Sequence, residues 1–484
     1  VLDDIAASPS IVVVDDRAVR VVDGRPYWGM LSLDAEKALK RDFGGDAGIA
    51  VIGPAGENLV KVASITSDFG RQAARCGIAA VMGQKRIKAI VALGHGKIPM
   101  AEPEAMKNLF DESLTKIREH KDLPLWQRLG TTQLVEWSNA TSCLPTRNFI
   151  AGQFEAAESI DGEAMFRQVR VENKACFLCE LRCGQVSAIG DIRVEGPEYE
   201  TLAMLGSNCG LTSVEDITMA NYLCDQLGLD TISSGNIVAF AMECFEKGLI
   251  DKDCTRGLDL HFGNAPALNA LLETMAYRRG IGNLLAEGIA TASQKIGQGS
   301  ERFAMHVKGL EMSGYDVRAA PAMGLAYATC DIGAHHNRAW AITYDVQTDR
   351  TTYSEDKVKR VIYLQHLRPM FDCLGVCRFP WLEMELQPVI YAQFYTFATG
   401  IQTSLDDLLK RSETVWNITR LTNLRQGLTK KDDWLPDRVF DDPLPSGPLK
   451  GAALRRDEFR EMVDGYYRQR GWTGDGVPTR EKLQ

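Results

Sequence analysis

Ala175-Cys176-Phe177-Leu178-Cys179-Glu180-Leu181-Arg182-Cys183-Gly184 places three cysteines within eight residues, spaced C-x2-C-x3-C. Thiolates this close can converge on one soft metal centre without long-range folding to gather them. A zinc site or a cubane cluster usually takes four ligands, so a fourth is expected from elsewhere in the chain. The plain alternative is a set of buried, unrelated cysteines. Spacing alone leaves zinc and iron–sulfur both open.

Upstream of this stretch the chain reads as strands. Ile11–Val14, Ala18–Val22 and Gly48–Ile52 are β-branched runs broken by Asp15-Asp16, Asp23-Gly24 and Gly53-Pro54, and Ile87–Leu93 is a further strand. Between them, Gly70 to Gly77 mixes small residues with Arg71 and Arg75. Small residues admit a bulky ligand and arginines grip phosphate bidentately; a solvated surface turn is the alternative. From about residue 100 the periodicity turns helical: Glu102–His120, Val214–Leu227 capped by Thr212 or Ser213 and stopped by Gly228, Ile237–Lys247, Leu268–Arg278, Ser354–His366 and Ser404–Leu421. Strands first and helices afterwards predict an α+β fold, not alternating βαβ units.

The bulk numbers exclude several classes. A chain of 484 residues is too long for one compact core, and two or three domains are expected. A formal charge of −9 argues against nucleic acid or an acidic membrane surface as partner. No apolar run reaches the length of a membrane span, and the first residues lack the pattern of a secretory signal. Twelve cysteines, three of them clustered, fit metal ligation in a reducing cytoplasm better than a disulfide framework.

Two further stretches share a pattern, Asp225-Gln226-Leu227-Gly228-Leu229-Asp230 and Asp372-Cys373-Leu374-Gly375-Val376-Cys377. Each is an acidic residue at a helix end followed by a glycine turn, an arrangement that aims a carboxylate and backbone groups at one ligand. Two copies point to a ligand with two similar halves. Cys377 is then the natural fourth cluster ligand.

These residues resemble the aldehyde:ferredoxin oxidoreductases from about Pro9 to the C-terminus. The matching motifs are Ile52–Asn58, Ala80–Gly83, the three-cysteine stretch, Glu195–Glu200, Gly228–Ser233 and Arg470–Thr473. The resemblance implies a β-sheet base carrying the cofactor (the later part of that domain in residues 1–99), then helical domains over 100–305 and 306–484. It implies a [4Fe-4S] cluster on Cys176, Cys179, Cys183 and Cys377, and tungsten or molybdenum between two pterins, with Mg2+ bridging their phosphates as a further expectation. Asp225, Leu229, Asp230, Asp372 and Val376 resemble pterin contacts. Arg338 stands where the family has a pterin-contacting lysine. Arg71, Gln72, Ala73 and Arg75 resemble the phosphate-side contacts. His336, in Gly333–Arg338, falls on the catalytic histidine, and Glu200 is expected to act as general base, with an ion pair to a core arginine as its blander role.

Two departures stand out. Met219 and Tyr222 replace a Glu-x-x-His pair that holds an inter-subunit iron in some members, so no such iron is expected. The chain opens on Val1, and about the first hundred residues of the family pattern are expected to be lacking, as in a fragment or a cradle completed by another polypeptide. The expected reaction is oxidation of a small aldehyde to a carboxylic acid, with electrons passing to ferredoxin or a ferredoxin-like subunit, in a homodimer or hetero-oligomer. A reductive aromatic acyl-CoA (benzoyl-CoA-type) subunit and a non-catalytic electron relay are the rival readings.

Overall fold

The structure, a computed structural model, describes residues 3–484. The N-terminal region is one mixed sheet built from β1 (Ser10–Asp15), β2 (Val19–Asp23), β3 (Gly48–Ile52), β4 (Ile65–Ser67), β5 (Arg71–Ala73) and β6 (Ile87–Leu93), in the order β2-β1-β6-β3-β4-β5. Only β1 and β6 run parallel; the other neighbours are antiparallel. Alternating Ile11, Val13, Ile49, Val51, Ala89 and Val91 bury one face against Ala35 and Leu39 of helix α1 (Ser32–Phe43).

The cysteine stretch was expected to lie in a helical region. It is instead the connection between β7 (Arg170–Lys174) and β8 (Gly184–Ile189), which with β9 (Ile192–Glu195) form a three-stranded antiparallel sheet. Positive φ at Leu178 and Arg182 folds the loop back on itself.

Helix α2 (Pro103–Glu119) packs against the helix Val389–Thr399. Helix α3 (Val214–Leu227) has the expected bounds, with the Ser213 hydroxyl accepting from the Asp216 N–H at 3.1 Å and Gly228 ending it at φ 75°. Helix α4 begins six residues before the expected Ile237 and spans Thr231–Glu246. The Asp230 carboxylate caps it, accepting from the Ile232 and Ser233 N–H groups, and Ser233, Ser234 and Gly235 had hidden its first turn from the apolar pattern. Beyond α5 (Pro321–Thr329), helix α6 runs Glu355–Leu374, eight residues past the expected His366 and through Pro369. An internal proline costs about 3 kcal/mol, offset here by burial of Leu367, Met370 and Phe371. Helices α7 (Leu405–Arg425) and α8 (Arg456–Arg470) pack along α6. One contiguous apolar cluster extends from Ile52 to Trp472 and includes Met305 and Val307.

The turn after α3 joins the sheet region to the helices. The Ser64 N–H donates to the Gly228 carbonyl and the Asp230 N–H to the Val62 carbonyl. Gly228 lies against Gly53, and a Cβ on Gly53 would come within 2.6 Å of the Leu227 carbonyl oxygen. Gly53→Ala should therefore destabilise the fold by about 1–3 kcal/mol, the cost of overpacking, read as a lowered thermal midpoint. An unchanged midpoint would mean that this close approach is not rigid.

Candidate active site

Six of the expected contact residues meet in one cavity of about 500 Å3: Arg71, Gln72 and Ala73 from β5, Asp225 from the last turn of α3, and Leu229 and Asp230 from the α3–α4 turn. Asp225 is 4% exposed, its Oδ1 accepting from Gln72 Nε2 at 2.9 Å, and burial pushes its carboxyl well above the carboxylate range. The β4–β5 hairpin and the α3 C-terminus thus converge on this space because the 62–64 segment pairs with the 228–230 turn.

Arg75 is no solvated surface arginine. It is 6% exposed, its Nη2 donates to the Glu311 carbonyl at 2.5 Å, and its Nη1 is 3.7 Å from Asp230. Arg71 Nη2 sits 3.0 Å from Glu195, whose other oxygen is 2.7 Å from Lys174.

Arg338, Asp372 and Val376 lie outside that cavity. Arg338 ion-pairs with Asp372 and lies 3.3 Å from Asp331. The Asp372 side chain is half exposed, and Val376 faces a separate apolar cavity of about 460 Å3 together with Cys179 and Cys377.

A second cavity of about 260 Å3 adjoins the first, with Arg71, Glu198 and Glu200 in both walls. It also holds Cys183, His336, Tyr315, Trp340 and Arg378. Glu200 is fixed by its neighbours: the Gly314 N–H donates to its Oε2 at 2.7 Å, and the Gly314 carbonyl accepts from the Tyr199 hydroxyl at 2.6 Å. Its free Oε1 lies 3.1 Å from His336 Nδ1, off the hydrogen-bond axis. The partner of Glu200 is thus a histidine, not a core arginine. Burial pushes the Glu200 carboxyl up to about 7, against the pull of the Gly314 N–H and of Arg75. Burial, with Arg378, Arg75 and Arg368 nearby, holds His336 well below its ordinary value and therefore neutral.

Cys179, Cys183 and Phe379, two residues beyond Cys377, pack against one apolar cluster of Leu123, Trp126, Leu181 and Met384. Among the described residues no three His, Cys, Asp or Glu side chains are drawn close enough to hold a single metal ion. The charges on Cys179, Cys176 and Cys377 nevertheless reach Cys183, whose thiol is pushed up chiefly by burial and then by Glu198.

Profiles of the aldehyde ferredoxin oxidoreductase family match almost the whole chain, the N-terminal domain over residues 1–94 and domains 2 and 3 over residues 108–484. The chain belongs to this family. Residues 1–94 match the family's N-terminal domain, and the chain spans about 80% of the length of the tungsten-containing relatives it matches. The tungsten-containing aldehyde ferredoxin oxidoreductase of Thermococcus kodakarensis is 38% identical over 497 residues, covering 100% of this chain and 80% of that protein. An aliphatic sulfonate oxidoreductase WOR-like subunit of Pyrococcus furiosus is 27% identical, covering 99% of this chain and 78% of that protein. The solved active-site complex BamBC of benzoyl coenzyme A reductase with 1,5-dienoyl-CoA shares the fold at a TM-score of 0.83 and 22% identity, over 99% of this chain and 79% of that one.

Within this aldehyde ferredoxin oxidoreductase site, reading the sequence alone assigned no role to Glu195, Glu198, Tyr315, Trp340 or Arg378. The alternation of acids at 195, 198 and 200 was the available signal for the first two. The aromatic wall had none. No helix among the described residues is long and apolar enough to cross a membrane.

Proposed function

We propose that the chain is the catalytic subunit of a cytoplasmic, tungsten- or molybdenum-dependent oxidoreductase that converts an aldehyde and water to a carboxylic acid, two protons and two electrons. The observation that carries this reading is Glu200. It lies in the walls of both cavities, has one free oxygen facing a neutral histidine, and has a pKa close to the working pH.

The cradle fits a large anionic cofactor. Arg71 lines it, and the Nε and Nη1 of the buried Arg75 beside it have no hydrogen-bond partner. Cys179 and Cys377 line one cavity and Cys183 lies within electrostatic reach of Cys377, Cys179 and Cys176, so the four can hold the [4Fe-4S] cluster that the family likeness implies. A bis-pterin metal centre in the cradle would supply the two-electron step, and the cluster the one-electron exit to ferredoxin or a ferredoxin-like subunit.

The chain's own residues do the rest. Glu200 Oε1 takes a proton from the attacking water while the Gly314 N–H anchors Oε2. Once Glu200 Oε1 holds that proton it can donate it to His336 Nδ1, 3.1 Å away, which leaves His336 protonated on Nε2 to donate a hydrogen bond to the aldehyde oxygen, where negative charge develops. Arg71 lies in both cavity walls, so its charge stands between cradle and cysteine loop.

Metal analysis of the native protein with an aldehyde assay tests the reading: tungsten or molybdenum with iron and turnover is expected, whereas iron alone would leave only an electron relay. The base works deprotonated, and below about 7 Glu200 carries its proton. Turnover should therefore rise with pH along a limb centred near 7, and Glu200→Gln should remove the limb. A flat profile in the unmodified protein would exclude Glu200 as the base.

A further inference from the structure

Two arginines in the helical region form no ion pair within 4 Å, the opposing charges nearest in effect being Glu383 and Cys377. Arg368 of α6 is 3% exposed, and none of its three guanidinium nitrogens has a hydrogen-bond partner. Arg378 is stacked over Phe379 at 4.6 Å, and its Nε is buried without a partner. Among the described residues neither forms an ion pair. Burying an unpaired guanidinium is costly, and the cost is recovered when an oxyanion binds it. The acid of this cavity whose charge acts on both arginines is Glu383, and burial pushes its carboxyl up to about 7, so it balances at most part of the two positive charges.

Arg378 belongs to the 260 Å3 cavity that also holds Glu200 and His336, walled by Tyr315, Trp340 and Phe379. That volume is below the roughly 300–1,000 Å3 of drug-sized ligand sites. A molecule reacting at Glu200 and His336 in so small a space also meets Arg378.

We propose that this cavity contains an oxyanion subsite centred on Arg378 and backed by the charge of Arg368, so that the preferred substrates are short aldehydes carrying a second group that is a carboxylate or sulfonate. The inference rests on the aldehyde-oxidation reading and adds its substrate class. The reaction is unchanged: the aldehyde carbon gains oxygen from water and releases two electrons, while the distant anion stays bound.

The test compares 4-oxobutanoate and 3-oxopropanesulfonate with butanal on the purified holoenzyme, and separately measures succinate against butanoate binding by calorimetry. A charge-assisted hydrogen bond to the partly buried Arg378 predicts about a ten- to hundredfold advantage in kcat/KM for the charged aldehydes, mostly in KM, and a similar preference for succinate. The two charged aldehydes separate a carboxylate site from a sulfonate site. Arg378→Gln should lower the charged-to-neutral ratio about tenfold or more, and Arg378→Lys should restore part of it. Equal kcat/KM for charged and neutral aldehydes would overturn the proposal. So would an unchanged ratio in Arg378→Gln accompanied by a shifted cluster potential, which would assign the arginine to the neighbouring cysteines. If no aldehyde is oxidised while succinate still binds more tightly than butanoate, the subsite stands and the aldehyde reading fails.

Discussion

Glu200→Gln should lower aldehyde turnover by about two to four orders of magnitude, the usual span for a general base. Glutamine keeps an oxygen to accept the Gly314 N–H, so the side chain should stay in place while losing its capacity to take a proton. His336→Asn should cost about two to three orders of magnitude through a misplaced donor to the developing oxyanion. The two variants should fail differently: Glu200→Gln loses the rising pH limb, and His336→Asn keeps it at lower amplitude. Metal and iron content should survive both changes, because neither residue is a cluster cysteine or among the cradle residues Arg71, Gln72, Asp225 and Asp230. Near-full oxidation by Glu200→Gln with intact metal would remove the general-base assignment. Loss of metal in either variant would move that residue into the cradle.

Cys377→Ser should abolish the iron–sulfur signal and reduce turnover to background, as Cys179→Ser should, although the two lie far apart in sequence. A hydroxyl is a poor ligand for a soft iron–sulfur site. The two cysteines line one cavity, and Phe379 shares an apolar cluster with Cys179 and Cys183, so the 377–379 segment is already brought to the loop. Cys373 is exposed and lines none of the cavities that hold the other cysteines, so Cys373→Ser should leave iron content near that of the unmodified protein. An intact cluster in Cys377→Ser with loss in Cys373→Ser would reverse the assignment.

The Thermococcus kodakarensis relative is 38% identical to this chain and the benzoyl coenzyme A reductase complex 22%. The fold likeness to that complex bears on architecture alone.

By itself the sequence determined whatever depends on neighbours along the chain. The strands Gly48–Ile52 and Ile87–Leu93 and helix Val214–Leu227 with its Ser213 cap and Gly228 stop were legible residue for residue, since β-branched runs and cap chemistry are local. The cysteine spacing, the first D-x-x-G turn and the Glu195–Glu200 run were legible for the same reason. Tertiary structure alone decided the rest. It set the start of α4, where a capping carboxylate outweighs a weak apolar pattern, and carried α6 through Pro369, where packing outweighs a lost hydrogen bond. It turned Arg75 inwards and gave Glu200 a histidine partner instead of an arginine. It also buried Arg368 and the Nε of Arg378 without hydrogen-bond partners. Burial, and with it the pKa of a carboxylate or the cost of an unpaired charge, is set by segments more than a hundred residues away, as with Gly314 at Glu200, and no local pattern encodes it.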